Sequence, residues 1–183
     1  MAGLSLSLQA LLVLFTPFLS QAQVDYNVPD AVSSTVVGGT YNTIKAVVGN
    51  YSVIVGGHGN NISAFKAVVG GGESNRVTGT LSAILGGDLN AASGESAIVA
   101  GGHRNSVSAY AGAVIGGISN NVDGDRAAVG GGQSNTATGS RAFVGGGWGN
   151  SITSNGGTAV VGGGENNNAN GEKRIHKANY ETR

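Results

Sequence analysis

Four residues at the same point of consecutive repeats, His58, Glu73, Asp88 and His103, are the side chains of this sequence best suited to chemistry. They follow one another at intervals of 15 residues, and imidazole and carboxylate are both metal-ligand types. If each interval is one rung of a stack, four rungs span about 14 Å. A single ion then reaches only neighbouring members, and Glu73, Asp88 and His103 are the set to test. The column runs on as Ile118, Gln133 and Trp148, as a free turn position does, so neither metal nor any other cofactor is expected. Catalysis has less to draw on. Glycine runs such as 70–72 are not nucleotide loops, because no Gly-Lys-Ser/Thr follows them. No insertion is long enough to wall a pocket, so no catalytic residue is expected.

A second array is polar but unreactive. Thr78, Ser93, Ser108, Thr136, Thr138 and Thr153 stand at the second and fourth positions of one strand and form a candidate binding face. A flat array of hydroxyls is what some ice-binding solenoids present. Here only Thr136 and Thr138 make a Thr-x-Thr pair, and Arg76 and Asp123 interrupt the row. Two sequons, at Asn50 and Asn61, are glycosylation candidates in a host that glycosylates exported chains.

The positions carrying these residues are set by a repeat whose constant member is asparagine: Asn42, Asn60, Asn75, Asn90, Asn105, Asn120, Asn135, Asn150 and Asn167. From Asn60 to Asn150 the interval is 15 residues each time. A unit that short cannot be an independent domain, so each copy is read as one coil of a stacked solenoid. With asparagine as position 1, position 3 is apolar (Ile62, Val77, Ala92, Val107) and so is position 10 (Val69, Ile84, Val99, Val114). Position 8 is small throughout. Period-2 alternation predicts two short strands per coil, each turning one apolar side chain inward. The twin glycines at positions 12 and 13 are expected to turn one corner with φ > 0. The single glycines Gly79, Gly94, Gly124 and Gly139 are expected to do the same at the other, with Ala64, Ala109 and Ser154 replacing them elsewhere. The asparagines should stack about 4.8 Å apart as a structural ladder, bonding each other or the local backbone. Nine coils make a rod on the order of 40 Å long.

Positions 9 and 11 flank the inward residue and must point outward, yet they are apolar or glycine. Val68, Leu85, Ile98, Ile115 and Phe143 are the bulky members, an exposed stripe that wants covering. Self-association through this face is the expectation.

Bulk composition narrows the partners. The 183 residues balance 10 basic against 10 acidic side chains, so no field draws the chain to nucleic acid or an anionic membrane. Glycine numbers 34, but without the every-third grid of collagen. There is no cysteine, so an exported form would depend on its architecture rather than on disulfides. Residues 1–22 read as a secretory signal, apolar from Leu4 to Leu19 and closed by Ser20-Gln21-Ala22. A lead (23–32), the repeats (33–171) and a C-terminal tail or cap (172–183) follow. No second apolar stretch is present, so the mature chain is expected to lack a membrane span and to be secreted or held at the cell surface.

The phrases SAILGGDLNAASGESAIVAGG (82–102) and AAVGGGQSNTATGSRAFVGGG (127–147) resemble the head repeats of YadA-like trimeric autotransporter adhesins. The resemblance covers residues 33–171 and a head only, with a unit one glycine longer than the family's usual one. It implies a left-handed parallel β-roll, assembled as a homotrimer and displayed outside the cell, that binds extracellular matrix or cell-surface molecules. Taken together, the expectation is an all-β, non-enzymatic solenoid serving in adhesion or structural assembly. An ice-binding solenoid and a subunit of a secreted fibre or coat are the alternatives.

Overall fold

The computed structural model describes residues 33–45, 51–153, 155, 157–171 and 175–176. The expected signal segment and lead, Asn50 and Ser154 lie outside them. The chain is an all-β parallel solenoid of about nine turns, one turn every 15 residues through most of its length.

Strands of two residues stack in two parallel sheets. Ten of them, from Thr35–Val36 to Ile175–His176, form one sheet, and nine, from Thr43–Ile44 to Asn168–Ala169, form the other. Register follows the repeat: Ser106 pairs with Asn121 and Val107 with Val122, while Ile98 pairs with Ala113 and Val99 with Val114. The first sheet thus carries one rung beyond Gly171, at Ile175–His176 on Val160–Val161. Among the described residues there is no helix, hence none long and apolar enough to cross a membrane.

Each strand from Thr43–Ile44 to Asn168–Ala169 contributes one residue to a core a single side chain deep. Val77, Ile84, Val99, Val107, Val114, Val122 and Val129 are wholly buried, as are Ala92 and Ala137. Burying a Val or Ile is worth about 1.5–3 kcal/mol, and each coil gains this only because its neighbours above and below close over it.

A third ladder was not foreseen. Position 14 is bridged from coil to coil, Thr40 to His58 and on through Glu73, Asp88, His103, Ile118, Gln133 and Trp148 to Glu165. Its side chains vary as a free turn would because they point outward, but its backbone is paired.

The corners also differ from expectation. Of the twin glycines it is the second that is left-handed in every coil, for example Gly87 (φ 87°) and Gly102 (φ 92°), whereas among the first only Gly71 and Gly163 have a positive φ, 159° in each. Gly79, Gly94 and Gly124 are not left-handed at all. They are glycine because a Cβ there would stand 2.0–2.2 Å from a carbonyl of the next coil. The left-handed residue at that corner is position 7, and it is not glycine: Leu81, Ser96, Ala111, Arg126 and Arg141 have φ of 51–59°. Such a conformation costs about 1 kcal/mol or more, and a coil-to-coil hydrogen bond fixes each one. The Leu81 N–H donates to the Phe65 carbonyl at 3.0 Å and the Arg126 N–H to that of Tyr110 at 2.8 Å. A side chain is admitted there because it points away from the stack.

Candidate functional site

The asparagine ladder lies inside the rod. Asn60, Asn75, Asn90, Asn105, Asn120, Asn135 and Asn150 are at most 1% exposed, against 2% for Asn42 and 9% for Asn167 at the ends. Asn105 shows the pattern. Its Nδ2 donates to the Gly101 carbonyl of its own coil at 3.0 Å and to the Gly117 carbonyl of the next at 2.9 Å. Its Oδ1 accepts the Asn120 N–H at 3.0 Å and the Asn120 Nδ2 at 3.1 Å. Each side chain therefore satisfies backbone groups of two coils, and a buried amide so engaged is unavailable to a ligand.

Three surfaces remain. On the nine-stranded sheet, positions 2 and 4 present the hydroxyl row. Ser93 and Ser108 are exposed, whereas Thr78, Thr136, Thr138 and Thr153 are half-buried. Several of these groups are tied into the fold. Thr138 Oγ1 donates to the Ile152 carbonyl at 3.0 Å, and Asp123 accepts from both the Ser108 hydroxyl and Asn121 Nδ2. Thr153 Oγ1 is buried without a partner among the described residues. Asn61 is half-buried on this face, and its Oδ1 accepts the Ser63 hydroxyl at 3.1 Å, leaving its amide nitrogen without a partner among the described residues.

On the third ladder the structure brings two members of the metal-type column together. His103 Nδ1 lies 2.9 Å from Asp88 Oδ2, both side chains about two-fifths exposed. His58 Nδ1 is 2.7 Å from Thr40 Oγ1, and its ring meets Tyr41 edge-on. No group of three His, Cys, Asp or Glu is placed to hold a metal ion among the described residues. Trp148 stands further along, 45% exposed.

The ten-stranded sheet carries the apolar stripe. Val68, Leu85, Ile98, Ile115 and Phe143 are 37–60% exposed, and Val37 and Val55 extend the row toward the N-terminal coils. An aromatic corner, with Tyr51 edge-on to Phe65 and Lys66 over the Phe65 ring, was missed in the sequence. Its members sit at consecutive positions 6 and 7 of neighbouring coils, a signal visible only once the coil register is known.

No protein-family model matches the chain, and no curated protein is significantly similar to it.

Proposed function

We propose that the chain is a non-enzymatic, extracellular β-solenoid module that works by assembly, its rods associating side by side as a homotrimer and presenting their outer faces for adhesion. The observation that carries this reading is the uncovered stripe of Leu85, Ile98, Ile115 and Phe143 along one whole sheet. A continuous apolar surface of that kind marks an interaction surface on a soluble protein. A core one side chain deep gives a second reason for rods to pair, since packing against a neighbour adds buried apolar area that the coil interior lacks. The likeness of the 82–102 and 127–147 phrases to trimeric adhesin heads supports the trimer and the extracellular setting.

Sedimentation of the secreted chain tests the reading. The parent chain is expected to run as a trimer and the Ile98→Asp, Phe143→Asp variant as a monomer. An unchanged oligomer in that variant removes the stripe from the interface.

A further inference from the structure

Asn61-Ile62-Ser63 is one of the two Asn-x-Ser/Thr sequences of the chain, and it begins on the strand Asn61–Ile62 of the nine-stranded sheet. Alternation along that strand fixes where each member points. Ile62 is wholly buried in the core, so Asn61 and Ser63 on either side of it turn outward, both half-buried. Thr43 and Arg76 on the adjacent coils are the register partners of Asn61.

The two polar atoms of the Asn61 side chain differ in their surroundings. Its Oδ1 accepts the Ser63 hydroxyl at 3.1 Å. Its Nδ2 has no partner among the described residues, and it is not buried. The one buried side-chain polar atom left without a hydrogen bond among those residues is Thr153 Oγ1. Other asparagines of the rod have their Nδ2 engaged. Those of the ladder from Asn60 to Asn150 each give it to backbone carbonyls. Asn121, at the same outward position four coils on, gives it to Asp123, and no Ser or Thr stands two residues after it.

An N-glycan is attached at that nitrogen. Transfer forms a bond from Nδ2 to the anomeric carbon of the first sugar. It breaks the bond from that carbon to the diphosphate of a lipid-linked oligosaccharide donor, and a base on the transferase takes the Nδ2 proton. A modified asparagine keeps Oδ1 as an acceptor, so the Ser63 hydrogen bond survives the change. The transferase works on an unfolded segment, so the rod has only to accommodate the product. That requires a linkage nitrogen in solvent and an open face around it. Positions 2 and 4 of the nine-stranded sheet are exposed or half-buried in every coil. The other sequence, Asn50-Tyr51-Ser52, offers no comparable setting. Asn50 lies outside the described residues, and the wholly buried Ser52 hydroxyl donates to the Ala64 carbonyl at 2.9 Å and accepts the Ala67 N–H at 3.0 Å.

We propose that Asn61 is an N-glycan acceptor, modified in a cell whose secretory pathway transfers oligosaccharide from a lipid diphosphate to Asn-x-Ser/Thr, and that the folded rod carries the sugar on the outer face of its nine-stranded sheet. This rests on the reading of the chain as exported. A glycan is bulky and solubilising. At Asn61 it screens the Thr43, Ser63 and Thr78 end of the hydroxyl row from any flat partner, and it leaves the apolar stripe on the other sheet uncovered.

Mass spectrometry on the full chain expressed in a cultured animal cell tests the site. Peptide:N-glycanase releases the sugar and leaves aspartate where a modified asparagine stood. Fragment spectra of the tryptic peptide 46–66 then separate Asn61 from Asn50. Most secreted chains are expected to show the conversion at Asn61. Asn61→Gln and Ser63→Ala chains should carry no sugar at this position, whereas Ser63→Thr should keep it. The glycosylated parent should match Asn61→Gln in circular dichroism and in melting. A secreted chain whose Asn61 is bare, or whose sugar is confined to Asn50, overturns the site and leaves the export reading standing. A chain that keeps residues 1–22 and stays in the cytosol overturns the export reading, and the acceptor role with it. Glycosylated chains that aggregate inside the cell while Asn61→Gln is secreted show that the rod does not accommodate the sugar, and overturn the proposal as well.

Discussion

Ala109 and Gly112 divide one methyl group between them: a Cβ built on Gly112 would lie 2.9 Å from the Cβ of Ala109 and 2.8 Å from Cγ1 of Val107. Elsewhere the methyl is on the other side of the corner. Gly79, Gly94 and Gly124 at position 5 face Ser82, Ala97 and Ala127 at position 8. Of the 15-residue coils, only the one beginning at Asn60 carries both, as Ala64 and Ala67, beside the longer first coil whose Ser52 hydroxyl donates to the Ala64 carbonyl.

Gly112→Ala should therefore overfill the corner and cost about 1–3 kcal/mol. Adding Ala109→Gly should return at least half of that loss, since the methyl is then back where neighbouring coils keep it. Urea unfolding of the two variants and the parent measures both values. A double variant no more stable than the single one would show that Val107, not Ala109, sets the limit.

Asn105→Ala should be among the most damaging single changes in the rod. It orphans the Gly101 carbonyl and the Asn120 amide, each costing about 1–3 kcal/mol, and takes one of two donors from the Gly117 carbonyl, which keeps the His103 N–H. Asn167→Ala leaves fewer groups stranded, because Asn167 bonds Asn150 and Gly163 but has no coil beyond it among the described residues. The expected difference is about 2 kcal/mol or more in favour of the terminal variant. Equal losses in thermal unfolding would mean that the ladder acts as one cooperative block.

Adjacent glycines should respond in opposite ways to the same substitution. In a monomeric Ile98→Asp background, Gly102→Ala forces a side chain into both a left-handed backbone and a neighbouring carbonyl, and should cost about 3 kcal/mol or more. Gly101→Ala meets open space and should stay within about 1 kcal/mol of the background. Matching losses at the two positions, read from chemical denaturation, would contradict the corner geometry.

The Asp88–His103 pair should contribute little to stability. Both partners are about two-fifths exposed, and surface ion pairs are worth about 0–1 kcal/mol and weaken in salt. Asp88→Asn is expected to shift unfolding by no more than about 0.5 kcal/mol. A larger loss that persists in high salt would point to a role for the carboxylate beyond its charge.

The asparagine and valine columns made the coil, its length and its inward face readable, because buried positions tolerate few residue types and repeat visibly. The corners were less readable. Glycine signals either a positive φ or a lack of room, and only coordinates separate Gly102, which has both, from Gly94, which lacks only room. Leu81 and Arg126, left-handed without being glycine, carry no compositional mark. The third ladder was hidden for the opposite reason. The coil-to-coil bridging at position 14 runs through the backbone, so His103, Ile118 and Trp148 serve it equally well and leave no pattern. The outward stripe was readable as apolar because Leu85, Ile98, Ile115 and Phe143 flank the inward column at fixed positions.

The all-aliphatic core has an optical consequence. Its buried apolar side chains are valine, isoleucine and alanine, while Trp148, the one tryptophan, stands 45% exposed beside the twin glycines. Tryptophan emission should therefore shift less on unfolding of a lone rod than it would from a core position, since the indole is already nearly half exposed. The same indole should respond when another molecule settles against that edge, so the chain carries a native reporter of its surroundings rather than of its fold.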